Sequence, residues 1–306
     1  MYVFPPFSLQ TGLLAFFAAL VNGGIGYGFS SIVTPVALLW TTNQVLNPAL
    51  VVVELGLNIT LLLRERAHIR TTFRRAAPLM VGLLPGVIAG SFALAIIAPT
   101  TVKLVVYVVL FPLIALQLIG IRWKIRRETA ASGALGIGIG FLYSLTTISG
   151  PPLALYWRNA GLAKDEFRCA MAQVRVAEAS FTGISYLVLG LYTPASVNLI
   201  PVLLIPVIIG IPLGVFLLSN ISRQGFLRLV MSLDGIFVSF GLSQVMVSLH
   251  WISAMVSYLV FAGLTAAVLL LAYVTVSKPQ GVDERPPSSP ASEAGLGPPT
   301  ALRPPD

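Results

Sequence analysis

The apolar segment 130–157 is interrupted by Thr147-Ile148-Ser149-Gly150-Pro151-Pro152. Basic residues lie just before this segment, at 122–127, and just after it, at 158–168. Loops rich in Lys and Arg remain in the cytoplasm, so both ends of the segment are expected on the same side of the membrane. The segment therefore crosses twice or turns back. The interrupted middle favours a re-entrant hairpin, because non-helical backbone is tolerated at membrane depth where protein or a water-filled cavity satisfies it. Two short full crossings are the alternative.

A second apolar segment is also interrupted near its middle. Residues 9–40 are interrupted by Asn22-Gly23-Gly24-Ile25-Gly26. By the same reasoning this segment enters from the outer side and returns there. The chain thus contains two interrupted segments, which open on opposite faces of the membrane.

The composition of the whole chain is also typical of a membrane protein. Hydrophobic residues make up 56% of the 306 residues and charged residues only 10%, whereas soluble domains are roughly a quarter charged. Helices of spanning length are predicted near 45–63, 76–97, 101–122, 167–190, 196–219, 226–248 and 252–277. The sequence therefore predicts an all-α polytopic membrane protein.

The positive charges set the expected orientation. Four basic clusters are predicted to be cytoplasmic: Arg64, Arg66, Arg70, Arg74 and Arg75; Arg122, Lys124, Arg126 and Arg127; Arg158, Lys164 and Arg168; Arg223 and Arg228. The breaks at 98–100, 191–195 and 249–251 are expected outside. Because the net charge of +8 comes mainly from these loops, it does not indicate nucleic-acid binding. The tail 278–306, rich in Pro, Ser and Gly, is predicted to be disordered and cytoplasmic.

An internal repeat links the two halves. Thr34-Pro35 through Trp40 aligns with Pro151-Pro152 through Trp157 at a shift of 117 residues, and Gly86 and Gly90 align with Gly210 and Gly214 at a shift of 124. The charge pattern gives the halves opposite orientation, an architecture that recurs in secondary transporters with broken helices at the substrate site. We predict two inverted repeats, residues 1–123 and 124–249. Each has a broken or re-entrant hairpin followed by three helices, with an extra helix at 250–277.

These motifs resemble the sulfite exporter TauE/SafE family. The similarity lies in Asn22-Gly23-Gly24-Ile25-Gly26 to Pro35 and in Ser149-Gly150-Pro151-Pro152 to Leu155, and it extends over about residues 9–248. The resemblance implies transport of sulfite, organosulfonates or related small anions, with proton coupling. It implies a duplicated helical fold as well.

Four ionisable residues lie inside predicted helices, where a charge is costly and usually functional: Glu54, Arg175, Glu178 and Asp234. Arg175 is the candidate for recognising an oxyanion, because its planar fork donates two parallel hydrogen bonds. An ion pair with Glu178, three residues on, is the structural alternative. Glu54, Glu178 and Asp234 are the candidates for proton coupling.

The remaining candidate residues are polar groups or glycines near the breaks. Half-helices that begin there would direct N–H groups and positive dipole ends at an anion. Asn58, which aligns with Arg175, shares a helix face with Glu54. The predicted substrate contacts are Arg175, Asn58, Asn22, Gly24, Ser30, Ser31, Thr34, Thr147, Ser149 and Gly150. For the glycines, a role in turning the chain is equally compatible with the pattern.

Taken together, these features favour a secondary anion transporter in the plasma membrane. An anion channel is the alternative, and a membrane enzyme has less support because no paired-His motif or nucleophile elbow occurs. No cofactor or metal is expected, and Cys169 is the single cysteine. The expected partners are a small anion, protons and lipid. A homodimer is compatible with the sequence.

The inverted topology predicts the side on which a fusion will lie. A reporter fused after Ser196 should be outside the cytoplasm, because the break at 191–195 is on the outer side of the charge pattern. Paired alkaline phosphatase and fluorescent-protein fusions measure this directly. A cytoplasmic reporter at that position would contradict the inverted repeats.

Overall fold

The computed structural model describes residues 8–25, 28–119, 128–160, 162, 164–218 and 223–276. These residues form eleven α-helices and one 3-10 turn, Arg66–His68, with no strand among them. In chain order the helices are α1 (Ser8–Ile25), α2 (Phe29–Ala37), α3 (Asn43–Arg64), α4 (Ile69–Ile96), α5 (Pro99–Ile119), α6 (Glu128–Thr146), α7 (Gly150–Asn159), α8 (Lys164–Val188), α9 (Pro194–Leu218), α10 (Arg223–Ser248) and α11 (Ala254–Val276). The predicted tail 278–306 and the basic loop 122–127 lie outside the described residues.

Most of the long helices are suited to a lipid environment. Among the described residues, six helices are long and apolar enough to cross a membrane: α3, α4, α5, α9, α10 and α11. Helix α8 has 25 residues but carries several charges along its length. The prediction of an all-α, polytopic membrane protein is confirmed.

Each interrupted segment contains two helices, but Asn22, Gly23, Gly24 and Ile25 of the first predicted interruption belong to the last turns of α1. Helix α1 ends at Ile25 and α2 begins at Phe29, while α6 ends at Thr146 and α7 begins at Gly150. Helix α2 has 9 residues and α7 has 10, so each is only about 15 Å long or less, against a hydrocarbon core of about 30 Å. Gly28, the residue that precedes α2, has φ of 105°, a left-handed conformation that glycine adopts without steric cost. Neither short helix can span a bilayer alone.

Side chains from other helices satisfy the backbone where the broken helices end. Asn47 Nδ2 of α3 donates to the Leu145 carbonyl at 2.8 Å, and the Tyr186 hydroxyl of α8 donates to the Ser144 carbonyl. The Lys103 ammonium of α5 donates to the Leu38 carbonyl, at the end of α2, over 2.7 Å. The last carbonyls of a helix have no partner within it, and lipid provides none. These contacts therefore make a break inside the membrane protein tolerable.

Several helices begin earlier than the hydropathy pattern predicts. Helix α4 was expected from residue 76 but begins at Ile69, so Arg70, Arg74 and Arg75 lie on its first two turns and not in a loop. Helix α8 begins at Lys164, before the expected residue 167. Hydropathy locates the apolar part of a helix. Arg and Lys are good helix formers, so the helix continues past that part.

The aligned glycines of the two halves occupy comparable interfaces. Helix α4 packs on α6, and α9 packs on α1. A Cβ on Gly86 of α4 would lie 2.0 Å from the Ile137 carbonyl oxygen, and one on Gly214 of α9 would lie 2.1 Å from the Leu20 carbonyl oxygen. Close backbone approach is the usual role of small residues between membrane helices. Helices α3 and α8 pack on each other and on these pairs, and they carry Glu54, Arg175 and Glu178.

The close approach predicts a difference between two glycine variants. Gly86→Ala should destabilise the protein by roughly 1–3 kcal/mol, because the new methyl group meets helix backbone that cannot rotate away. Gly138→Ala on α6 is the matched control, since a Cβ there meets no heavy atom within 4 Å. Thermal unfolding in detergent measures both. Equal melting temperatures for the two variants would contradict the packing.

Candidate functional site

A buried ion pair joins the two central helices. Arg175 Nη2 of α8 lies 2.6 Å from Glu54 Oε1 of α3. The side chains are only 5% and 1% exposed, respectively. A charge pair removed from water persists only with good geometry and further hydrogen bonds. The neighbours of the pair therefore determine whether it can exist.

Those neighbours come from three further positions. The Tyr143 hydroxyl of α6 donates to Glu54 Oε2 over 2.8 Å. Asn58 Nδ2 donates to the Glu54 backbone carbonyl over 2.7 Å, and Arg175 Nη2 approaches Ser30 Oγ of α2 at 3.5 Å. Both carboxylate oxygens of Glu54 thus have a donor. The cluster is assembled from α2, α3, α6 and α8.

Glu178 does not form the ion pair considered from the sequence. Although it lies three residues from Arg175 on α8, its Oε2 accepts a hydrogen bond from Ser149 Oγ at 2.6 Å. Ser149 is the residue that precedes α7. Arg175 reaches across to α3, while Glu178 reaches to the break between α6 and α7. Glu178 remains within electrostatic range of both Arg175 and Glu54.

A contact between hydroxyl groups joins the two hairpins. Thr34 Oγ1 in α2 lies 3.1 Å from Thr147 Oγ1 at the α6–α7 break. Thr147 has φ of 60°, a left-handed conformation that is unusual for a β-branched residue and costs about 1–3 kcal/mol. The surrounding structure has to hold the residue there. Backbone strain of this kind concentrates at functional positions.

Several buried polar atoms of the candidate site residues and their neighbours along the chain have no hydrogen-bond partner. Among the described residues they include Arg175 Nε, Glu178 Oε1, Thr182 Oγ1 and Asn22 Oδ1. Buried polar atoms in proteins are nearly always paired, so each such atom calls for an explanation. For Arg175 the consequence is specific: its guanidinium retains a donor beyond the contacts with Glu54 and Ser30.

A family model described as sulfite exporter TauE/SafE matches residues 11–242 of the chain. The chain belongs to the sulfite exporter TauE/SafE family. It is thereby placed among membrane transporters of sulfur anions, not in a family of enzymes. No curated protein and no solved structure matches the chain. The matched range contains every residue of the cluster around Glu54 and Arg175.

The other predicted site residues of this TauE/SafE protein are distributed over α1, α2, α7 and α10. Asn22 is buried in α1, and Gly24 lies in the last turn of the same helix. Ser31 is half-buried in α2, and Gly150 is the first residue of α7. Asp234 is buried in α10, which packs mainly on α5 and α11. Asp234 is thus placed among other helices than the ion pair.

Two residues of the site were missed by sequence reasoning. Tyr143, a direct partner of Glu54, had been counted among the apolar residues of segment 130–157. Asn47 is not among the predicted site residues, yet its side chain donates to the Leu145 carbonyl at the end of α6. A usable signal was present in Tyr143, because it is a hydroxyl-bearing residue one helical turn before the break.

A cavity between α3 and α8 is not part of the site. It has a volume of about 530 Å³ and is lined by apolar side chains such as Val51, Leu55, Ile184 and Leu187, with Tyr192 at one end. An anion needs donors or positive charge, and this lining provides almost none. We therefore assign no anion to this cavity.

The hydrogen bond to Glu54 predicts an order of stability between two tyrosine variants. Tyr143→Phe should cost about 1.5–3 kcal/mol, because the lost bond has an ionised acceptor. Tyr107→Phe is the comparison: its hydroxyl donates to the neutral Pro35 carbonyl at 2.9 Å, and its loss should cost about 0.5–1.5 kcal/mol. The free energies of unfolding of the two variants can be compared by SDS titration in mixed detergent micelles. The reverse order would contradict an ionised Glu54.

Proposed function

We propose that this protein is a secondary transporter that carries a small sulfur-containing or carboxylate anion across the plasma membrane by alternating access. The observation that supports this most strongly is the state of Arg175. It is a buried cation in the middle of α8, held by a single carboxylate and with a further N–H donor at Nε that has no partner. Intramembrane ionisable residues of this kind usually mark the path of a substrate or ion.

The surroundings of Arg175 suit an oxyanion. The first intrahelical bond of α2 runs from the Ile32 N–H to the Gly28 carbonyl, so the N–H groups of Phe29, Ser30 and Ser31 precede it. Such N–H groups, with the positive end of the helix dipole, favour a negative ligand. Arg175 Nη2 is 3.5 Å from Ser30 Oγ at this helix start. A sulfonate or sulfite group would contact the guanidinium and the start of α2 together.

The hydroxyl groups at the breaks would complete the binding site. Thr34, Thr147 and Ser149 are buried, and they connect α2 with the start of α7. Asn58 fixes the backbone of Glu54, and Asn22 has a buried oxygen without a partner. Gly24 and Gly150 would shape the chain next to the ligand. We propose these residues, with Arg175, Ser30 and Ser31, as the substrate-binding set.

Two inverted repeats, residues 1–123 and 124–249, would give this site its two access routes. The matched helix pairs α4–α6 and α9–α1, with aligned glycines at both contacts, support a duplicated arrangement. Movement of one repeat against the other would expose the site to each side in turn. Helix α11 follows as the extra helix of 250–277, and the tail would be cytoplasmic.

Proton coupling would use the buried carboxyl groups. Glu54 and Glu178 both lie within electrostatic range of Arg175, whereas Asp234 is buried among other helices. A carboxyl near the substrate site can exchange a proton as the site opens to either side. We propose Glu54 and Glu178 as the main candidates and Asp234 as the third.

Transport by the purified protein in proteoliposomes tests this function. The assay measures uptake of radiolabelled sulfite, thiosulfate, sulfoacetate and methanesulfonate, and of acetate as a representative carboxylate. Each anion is tested in the presence and in the absence of a pH gradient. We expect saturable uptake of a sulfur anion. Arg175→Ala should lower its kcat/KM by roughly 30-fold or more, because loss of a buried charged contact to the anion costs about 2–5 kcal/mol.

Two further variants control this experiment. Arg175→Lys keeps the charge but loses the planar fork, so it should retain only part of the activity. Arg70→Ala removes an exposed arginine at the start of α4 and should transport normally. Size-exclusion profiles verify that each variant is folded. Wild-type activity in folded Arg175→Ala would exclude the recognition role.

A further inference from the structure

Arg175 and Glu54 form a pair of opposite charges at the proposed site. Arg175 is the positive group, Glu54 is the carboxylate in contact with it, and Tyr143 is a neutral donor to that carboxylate. The second nearby carboxyl, Glu178, is bonded to Ser149 and not to the guanidinium. The site therefore already holds an anion, and that anion is part of the protein.

The other helices that pack on α3 add no charge to this pair. Helices α2 and α9 contain no ionisable residue, and the basic residues of α4 lie on its first turns. Lys103 of α5 donates to the Leu38 carbonyl. Glu128 lies at the opposite end of α6 from Tyr143. Among the described residues, the ionisable groups in electrostatic contact with Glu54 are thus Arg175, Tyr143 and Glu178.

We infer that Glu54 is a built-in competitor that occupies the place of the substrate on Arg175, and that one singly charged anion and one proton displace it together. This inference rests on the proposed function. The anion accepts hydrogen bonds from the guanidinium, while the Glu54 carboxylate leaves it and accepts the proton. The exchange leaves the net charge of the site unchanged, because one anion and one proton enter together.

Two physical constraints support the paired exchange. Any additional net charge in a buried site is strongly unfavourable, so an anion entering without a proton would leave the displaced carboxylate uncompensated. The protonated Glu54 also keeps a partner, because the Tyr143 hydroxyl can accept a hydrogen bond as well as donate one. Glu178 lacks such a link to Arg175, so its protonation does not vacate the guanidinium. Transport of a singly charged anion should therefore be electroneutral.

Methanesulfonate is the probe for the wild-type protein, because it keeps a single negative charge at all working pH values and has no neutral form that crosses lipid unaided. With acid outside, it should accumulate in proteoliposomes by about tenfold per unit of pH gradient, since one proton accompanies each anion. Setting the membrane potential with potassium and valinomycin should leave the flux unchanged. Sulfoacetate, with two charges, should be carried poorly or move net charge.

Glu54→Gln separates the competitor from the rest of the site. The neutral amide competes less well for Arg175, so the Kd for methanesulfonate should fall by about tenfold or more. Exchange of internal for external anion should persist, while net uptake driven by the pH gradient should be lost. The anion should also raise the melting temperature of this variant more than that of the wild type, because it re-pairs an unpaired arginine. Glu65→Gln, the same substitution at the end of the same helix, should behave like the wild type.

Several results would overturn the inference. These are flux of methanesulfonate that follows the membrane potential, gradient-driven uptake that survives in Glu54→Gln, or loss of coupling in Glu178→Gln alone. Transport of a doubly charged anion in preference to methanesulfonate would contradict the inference that the substrate carries a single negative charge. Absence of flux for every anion in the wild type would instead remove the proposed function. The melting-temperature comparison would then still decide whether Glu54 competes with an anion for Arg175.

Discussion

The rest of the structure depends on the buried contact between Arg175 and Glu54. Hydrocarbon does not hydrate a guanidinium, so an arginine in the middle of α8 requires a carboxylate within reach. That carboxylate comes from α3, and it is held in turn by the hydroxyl of Tyr143 on α6. Three helices are thereby fixed relative to one another by polar contacts inside an otherwise apolar molecule.

The broken helices follow from a second constraint, that lipid provides no partner for backbone groups. The ends of α2 and α6 are satisfied by Lys103, Asn47 and Tyr186, which belong to neighbouring helices. The breaks are thus supported by the long helices around them. The same support keeps Thr147 in its strained conformation beside Thr34. The polar region is consequently surrounded by protein and kept apart from lipid.

The sequence was sufficient for features that depend on local patterns. Long apolar runs located the six helices that are long and apolar enough to span, and each of the two interruptions lies next to a point where one helix ends and a short helix follows. The partner of Arg175 could not be obtained in this way. Helical spacing suggests only neighbours on the same helix, such as Glu178, whereas the observed partner is 121 residues away. Tyr143 was missed because hydropathy treats its ring as apolar and disregards its hydroxyl.

The two proposed repeats differ in the residues at their aligned positions, and the difference favours a single anion for each chain. At the aligned position one half carries Asn58 and the other Arg175, so only one positive charge is present. The first turn of α7 contains Pro151 and Pro152, which have no N–H to donate, and the residue before it is bonded to Glu178. The first turn of α2 keeps its N–H groups. In the proposed duplicated arrangement, the differences at a few aligned residues leave one arginine, paired with the Glu54 carboxylate, at the site.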